Sequence, residues 1–434
     1  MRRALNLWTV SIGVSLLLAA VTLPGCGGSA GDEPPGSIQP PEYELRSTKA
    51  RVETPSVSSA DAATLAADNL AFSLDLYHEL RLSKPGNLIY SQTSISTALA
   101  MLYAGAATST ATQMSDALHF SLPAPRLHAA FNALDLALTT PPPGSSAAAF
   151  RLNVANSIWL QDGFTVLPPY LDTLAENYGA GLFTENFQTA WEPARTAINR
   201  WVSGQTEDLI PTLFPEGSIN SLTRLVLANA VFFHGDWKKA FAKDSQNRVF
   251  HAPTGDVSVP TMYGSMNASA WNGPGWSAAR VDYVGDTTSM VIVVPDAGTF
   301  AAFEAGLTAE SLGAILAGAQ SASGTDLYLP RFKFGTDVDL SEVLSALGMP
   351  VAFNDGADFS GINGARDLRI QAVVHKALIE VDEQGTTAAA ATGVSVGVTS
   401  LPPTLVVDRP FLFFVRHHAT GAILFQGRVL NPAQ

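Results

Sequence analysis

The sequence predicts an α+β chain. Helical and strand patterns are both present, they do not alternate in a strand–helix–strand rhythm, and no unit of about twenty to fifty residues repeats. With 47% apolar and 15% charged residues, the 434-residue chain can bury a large core and is not a disordered protein. No second linker interrupts it after residue 60, so one domain over residues 59–434 is the simplest organisation.

The elements follow in order. Arg2 and Arg3 precede an uncharged run from Leu5 to Leu23, and Leu23-Pro24-Gly25-Cys26 ends it. This is the basic and apolar layout of an export signal over residues 1–25. Its end resembles a bacterial lipobox, whose cysteine is lipidated and becomes the mature N-terminus. Cys26 is the only cysteine in the chain, and lipid attachment needs a thiol. An uncleaved membrane helix is the alternative, because a run of this length just spans a bilayer. Residues 26–58 are rich in Pro, Gly, Ser and charge without an apolar period, which reads as a flexible tether. A diacyl anchor on Cys26 would hold an exported body at the bacterial cell envelope. Gly27 favours the outer membrane or cell surface; release to the outside is the other option.

In the body, Phe72, Leu76 and Leu80 recur at helical spacing, so Ser59–Leu82 is expected to be a helix capped by Ser59 or Asp61. Lys84-Pro85-Gly86-Asn87 is a turn, Leu88–Ser91 a short buried strand, Ser94–Ala104 a helix, and Thr108 the cap of another helix ending at Leu118. Val281–Val294 reads as a hairpin turning at Gly285-Asp286, and Asp326–Phe334 and Leu405–Val415 as further strands.

Several functions are excluded. The net charge of −13 and the absence of a Lys/Arg cluster in the body argue against nucleic-acid binding. One cysteine permits neither an internal disulfide nor a cysteine-based zinc site. There is no Gly-x-Ser-x-Gly elbow, P-loop, dinucleotide glycine pattern or His-Glu-x-x-His. His417 and His418 are adjacent, so on a strand they face opposite ways. Before any resemblance is weighed, His375 reads as a buried, hydrogen-bonded strand histidine. No enzyme activity, metal or cofactor is expected.

One segment resists a bland reading. From Thr386 to Val407 there is no charge, first small residues and Thr, then Val. Gly393, Gly397 and Pro402-Pro403 break a continuous central strand, while an exposed β-prone linker invites aggregation. A segment exposed now that later becomes a strand accounts for both features. Thr386, Ala388, Ala390 and Thr392 would point one way, all small and uncharged, and Gly385 before them supplies a hinge.

Glu383-Gln384-Gly385-Thr386-Thr387 followed by Ala388, Ala389, Ala390 and Ala391 resembles the hinge of an inhibitory serpin. Asn87–Leu102, Asn229–Trp237, Asn354–Ile362 and the ending from Asp408 to Pro432 resemble other serpin motifs, in order from about residue 60 to the C-terminus. The resemblance implies a large central mixed sheet, further sheets, surrounding helices, an exposed reactive loop at about 384–407, and a monomer. It also implies covalent trapping of a target serine protease by loop insertion. By the same resemblance, Ser91, Ser94, Asn229 and His375 sit where the central sheet parts, and Trp237 and Glu383 at its top, with Arg331 a partner for Glu383. Gln92 departs from the family's usual Pro. The 25 residues from Gly385 to Pro410 match the spacing of inhibitory members and put the scissile bond at Thr399-Ser400, after Val398. Small β-branched residues there suit elastase-like or subtilisin-like proteases. The competing reading is a non-inhibitory surface-binding member of the same fold, against which the four alanines weigh.

Overall fold

Apolar strands buried on both faces organise the molecule, and the rest follows from what covers them. The computed structural model describes residues 44–140, 149–243, 247–319, 323–386 and 403–434, all within one compact unit, Pro40–Gln434. In chain order it begins with β1 (Glu44–Leu45), α1 (Ser59–Ser83), β2 (Leu88–Tyr90), α2 (Gln92–Tyr103), α3 (Thr108–Ala117), α4 (Ala124–Thr139), β3 (Phe150–Gln161), α5 (Pro168–Tyr178), β4 (Leu182–Glu185), α6 (Phe187–Gln205) and β5 (Leu225–Asp236). Next come β6 (Ala242–Lys243), β7 (Arg248–Ala252), β8 (Gly255–Val259), β9 (Thr261–Gly273), β10 (Trp276–Asp282), β11 (Thr288–Pro295), α7 (Phe300–Ala305), α8 (Ala309–Gly318), β12 (Ser323–Pro330) and β13 (Phe332–Asp339). The last stretch holds α9 (Ser341–Ala346), α10 (Ser360–Asn363), β14 (Ala372–Val381), β15 (Gly385–Thr386), β16 (Thr404–Val406), β17 (Phe411–His417) and β18 (Ile423–Val429).

The first sheet runs β1-β4-β3-β5-β14-β13, with β15 added to β5. The second runs β16-β12-β9-β10-β11-β17-β18-β2, with β6 on β9, and β7–β8 is a separate hairpin. Strand β5 is buried from Leu225 to Gly235 because both its faces are covered. Its even positions Val226, Ala228 and Ala230 meet Ile198 and Val202 of α6. Its odd positions turn inward, with Val231 and Phe233 packing among Phe413 and Phe425 of the second sheet.

Several expected boundaries move, each for a local reason. The cap of α1 is Ser58, whose hydroxyl accepts from the Asp61 amide at 3.1 Å. Ser91 caps α2 by accepting from the Ser94 amide at 3.3 Å, so Ser94 lies inside that helix. Gln92 occupies the first helical position, where Pro is also welcome, and its amide donates to Asn69 Oδ1 at 3.0 Å. Thr108 does not cap α3: it is the first helical residue, with φ +49°, and its hydroxyl donates to Asp358 Oδ2 at 2.9 Å. The expected strand at 326–334 is two strands in different sheets, β12 and β13, because the chain breaks at Pro330-Arg331. The expected strand at 405–415 likewise divides into β16 and β17 around Asp408-Arg409-Pro410. The hairpin at 281–294 is present, with positive φ at both Gly285 and Asp286.

Residues 44–57, expected in the tether, lie against the body. Glu44 and Leu45 pair with Phe183 and Leu182 at the sheet edge. Arg51 donates to Asn132 Oδ1 at 2.8 Å and Asp135 Oδ2 at 2.7 Å, and the Val52 amide to the Glu176 carbonyl at 2.9 Å. Gly181 is required here, since a Cβ would come within 2.6 Å of the Leu45 carbonyl. The signal at 1–25, Cys26 and the tether before residue 44 lie outside the described residues, as do Thr387, Ala388, Ala389, Ala390, Ala391, Val398, Thr399 and Ser400.

Candidate functional site: a seam in the central sheet

Two long strands of the first sheet, β5 and β14, run parallel. Their ladder holds six rungs, from Ala372 opposite Val226 to Ala377 opposite Val231. Beyond it β5 continues to Asp236 and β14 to Val381 without pairing with each other among the described residues. The sheet is therefore closed at one end of this seam and parted at the other.

One rung of the closed part is polar across three strands. Asn156 on β3 and His375 on β14 are both direct neighbours of Asn229 on β5. All lie under the start of α2. The Ser91 amide donates to His375 Nε2 at 3.2 Å, so the ring proton belongs on Nδ1, which donates to Asn229 Oδ1. Asn229 Nδ2 donates to Ser94 Oγ at 2.7 Å and to Asn156 Oδ1, and Ser94 Oγ donates to Asn156 Oδ1 at 2.9 Å. Asn229 and His375 are fully buried. Burial pulls the His375 pKa down to about 3, which keeps the ring neutral and makes this arrangement of donors and acceptors consistent.

At the parted end the chain leaves β14, reverses, and returns as β15. Gly385 and Thr386 pair antiparallel with Asp236 and Gly235 of β5. The Trp237 amide donates to the Gln384 carbonyl at 2.8 Å, its indole Nε1 to the Asp382 carbonyl at 2.9 Å, and the Phe241 amide to the Glu383 carbonyl at 2.7 Å. The indole is fixed by stacking on Tyr283, with centroids 4.5 Å apart. Arg331 Nε lies 3.7 Å from Glu383 Oε2, a half-exposed ion pair. Gly385 has a steric role here: a Cβ would come within 2.2 Å of the Gly235 carbonyl oxygen. Burial pushes the Asp236 carboxyl up, against the pull of neighbouring His234.

Ser91, Ser94, Asn229 and His375 thus come together at the closed part, and Trp237, Glu383, Arg331, Gly385 and Thr386 at the parted end. Reading the sequence missed Asn156, Gly235 and Tyr283. The usable signal for Asn156 was an amide side chain within the apolar stretch Val154–Trp159, since a buried polar group needs a partner.

The site is thus a central sheet parted at one end, with a chain segment turned back into the opening. Residues 67–432 match the family model described as serpin (serine protease inhibitor), and the chain belongs to that family of inhibitors, not to the enzymes. It is 36% identical over 382 residues to the human leukocyte elastase inhibitor, covering 85% of this chain and 99% of the relative. The crystal structure of tengpin, a thermophilic serpin in the native state, resembles it with a TM-score of 0.77 at 26% identity, covering 89% of this chain and 97% of tengpin. Uncleaved ovalbumin does so with a TM-score of 0.75 at 29% identity, covering 85% and 100%.

Proposed function

We propose that the protein inhibits serine proteases as a suicide substrate. The protease serine attacks the carbonyl of Thr399, the Ser400 amine leaves, and residues up to Thr399 remain on the enzyme as an acyl ester. The freed segment then fills the seam as a strand, carries the protease with it, and deacylation stalls. The pairing of Gly385 and Thr386 with β5 at the parted end is the observation that carries this reading. Continuing that register would set Ala388 opposite Phe233, Ala390 opposite Val231 and Thr392 opposite Asn229. Cross-strand partners share a face, so these small residues would enter against the inward core. About a dozen new strand residues would contribute on the order of 10 kcal/mol from ladder bonds and apolar burial.

Elastase-like or subtilisin-like targets fit Val398 and Thr399, and the loop from Thr386 to Val407 holds no Lys or Arg for a trypsin-like pocket. The relatives named as leukocyte elastase inhibitors support the same class. Lipidation at Cys26 would station this monomer at the cell envelope or surface.

The test is incubation with elastase, subtilisin and trypsin, read on a denaturing gel for covalent adducts and by mass spectrometry of the released C-terminal peptide. Adducts with the first two, and a cut at Thr399-Ser400, are expected. A cut outside residues 397–401 overturns the reactive bond. Ala390→Arg, which the continued register sets opposite Val231, would bury an unpaired charge during entry, so it should be cut as a substrate; adducts forming at the wild-type rate would overturn the insertion step.

A further inference from the structure

We propose that Asp382 is the positioning residue for strand entry: its carboxylate closes the reverse turn that aims Gly385 down the seam. The inference rests on the inhibitory reading above. In an ordinary four-residue turn, the carbonyl of the first residue accepts from the amide of the fourth. Here the Asp382 carbonyl is held by Trp237 Nε1 instead. The carboxylate oxygen Oδ1 takes over, accepting from the Gln384 amide at 2.9 Å and from the Gly385 amide at 3.2 Å. This is the side-chain mimicry of a turn at which Asp excels, one side-chain oxygen accepting from both amides. The Asp382 amide donates in return to the Gly385 carbonyl at 3.0 Å, so the two residues grip each other reciprocally.

The carbonyls of Glu383 and Gln384 are held from the β5 side by Phe241 and Trp237. Among the described residues, the amides of Gln384 and Gly385 are held in this turn by Asp382. Position matters at this point because Gly385 has almost no clearance over Gly235. A turn that relaxes by a few tenths of an ångström misaligns the first rung, and each later rung inherits the error. After acylation, entry competes with release of the protease by hydrolysis, so slower entry converts inhibitor into substrate.

The test uses the full chain with Cys26→Ser and Ser395→Cys, the new thiol carrying an environment-sensitive dye, mixed with elastase in stopped flow. Asp382→Ala is expected to slow the dye change about fivefold and to raise the moles of inhibitor consumed per mole of protease. The initial rate of loop cleavage should not change. Asp382→Asn keeps the Oδ1 acceptor and should restore most of the rate. Should the alanine variant not fold, Asp382→Ser takes its place, with an intermediate slowing. Entry at the wild-type rate in Asp382→Ala, or equal slowing in Asp382→Asn, overturns the role of Asp382 while wild-type adducts persist. If the wild type itself leaves no adduct, the inhibitory reading has failed and this inference fails with it.

Discussion

The two ends of the β5/β14 seam are made of the same strands and are held in opposite ways. The closed end has six backbone rungs and a buried polar row, Asn156–Asn229–His375, roofed by Ser91 and Ser94. At the parted end, the β5 and β14 backbones do not meet, and a reverse turn bonded to Trp237 and Phe241 sits across the opening. The contrast locates the resistance to opening. On the proposed mechanism, a strand entering from the parted end would meet prepared partners first and would have to break rungs only from Ala377 downward. The polar row lies two rungs further on, where its cross-strand bond between Asn229 and His375 is the one to be exchanged.

The largest effect is expected on nicking the loop with a metalloprotease, which forms no acyl-enzyme and so turns over without being trapped. If the parted end accepts the freed strand, the melting temperature rises by tens of degrees, from a gain on the order of 10 kcal/mol. Identical melts before and after nicking would remove the distinction between the two ends.

Removing the polar row is the next largest effect. Asn229→Ala deprives His375 Nδ1 of its acceptor and Ser94 and Asn156 of a donor, all inside the sheet. A loss of about 2–4 kcal/mol is expected in denaturant unfolding, with faster spontaneous loss of inhibitory activity on warming.

Acid is a milder probe. Burial lowers the pKa of His375 to about 3 and of His128 to about 4. The unfolded chain takes up these protons near pH 6.5 and the folded chain only near 3–4. Stability from the two rings is therefore complete above pH 6.5 and declines across the window from 6.5 down to 3. Each costs roughly 2 kcal/mol at pH 5, readable in thermal melts at pH 7 and pH 5. His128→Gln at pH 5 separates the contribution of α4 from that of the seam.

The smallest effect is expected at Arg331→Ala. Its pair with Glu383 is long and half exposed, so global stability should change by less than about 0.5 kcal/mol.

Much of this architecture could be read from residue order, because its signals are local. The helix at 59–83 shows its period in Phe72, Leu76 and Leu80, and the Gly285-Asp286 hairpin declares itself by turn chemistry. The strand pair β12 and β13 was not separable, since one proline in an apolar run does not reveal that the two halves join different sheets. The edge strand at 44–45 was invisible for a related reason: a polar stretch without an apolar period is held by partners on α4, α5 and β4 far along the chain. At the site, the row beneath α2 was reached through family likeness for Asn229 and His375, whereas Asn156 needed the register between β3 and β5. The reason for Gly385 also changed, from freedom of rotation to a shortage of space above Gly235.

The direction of the two seam strands has a further consequence. Because β5 and β14 point the same way, a chain reversing at the end of one runs counter to both. Filling the gap would thus trade one set of slanted bonds for two sets of perpendicular ones, the geometry that is slightly more stable per residue. On the proposed mechanism, strand polarity alone would favour the filled state, before any side chain contributes.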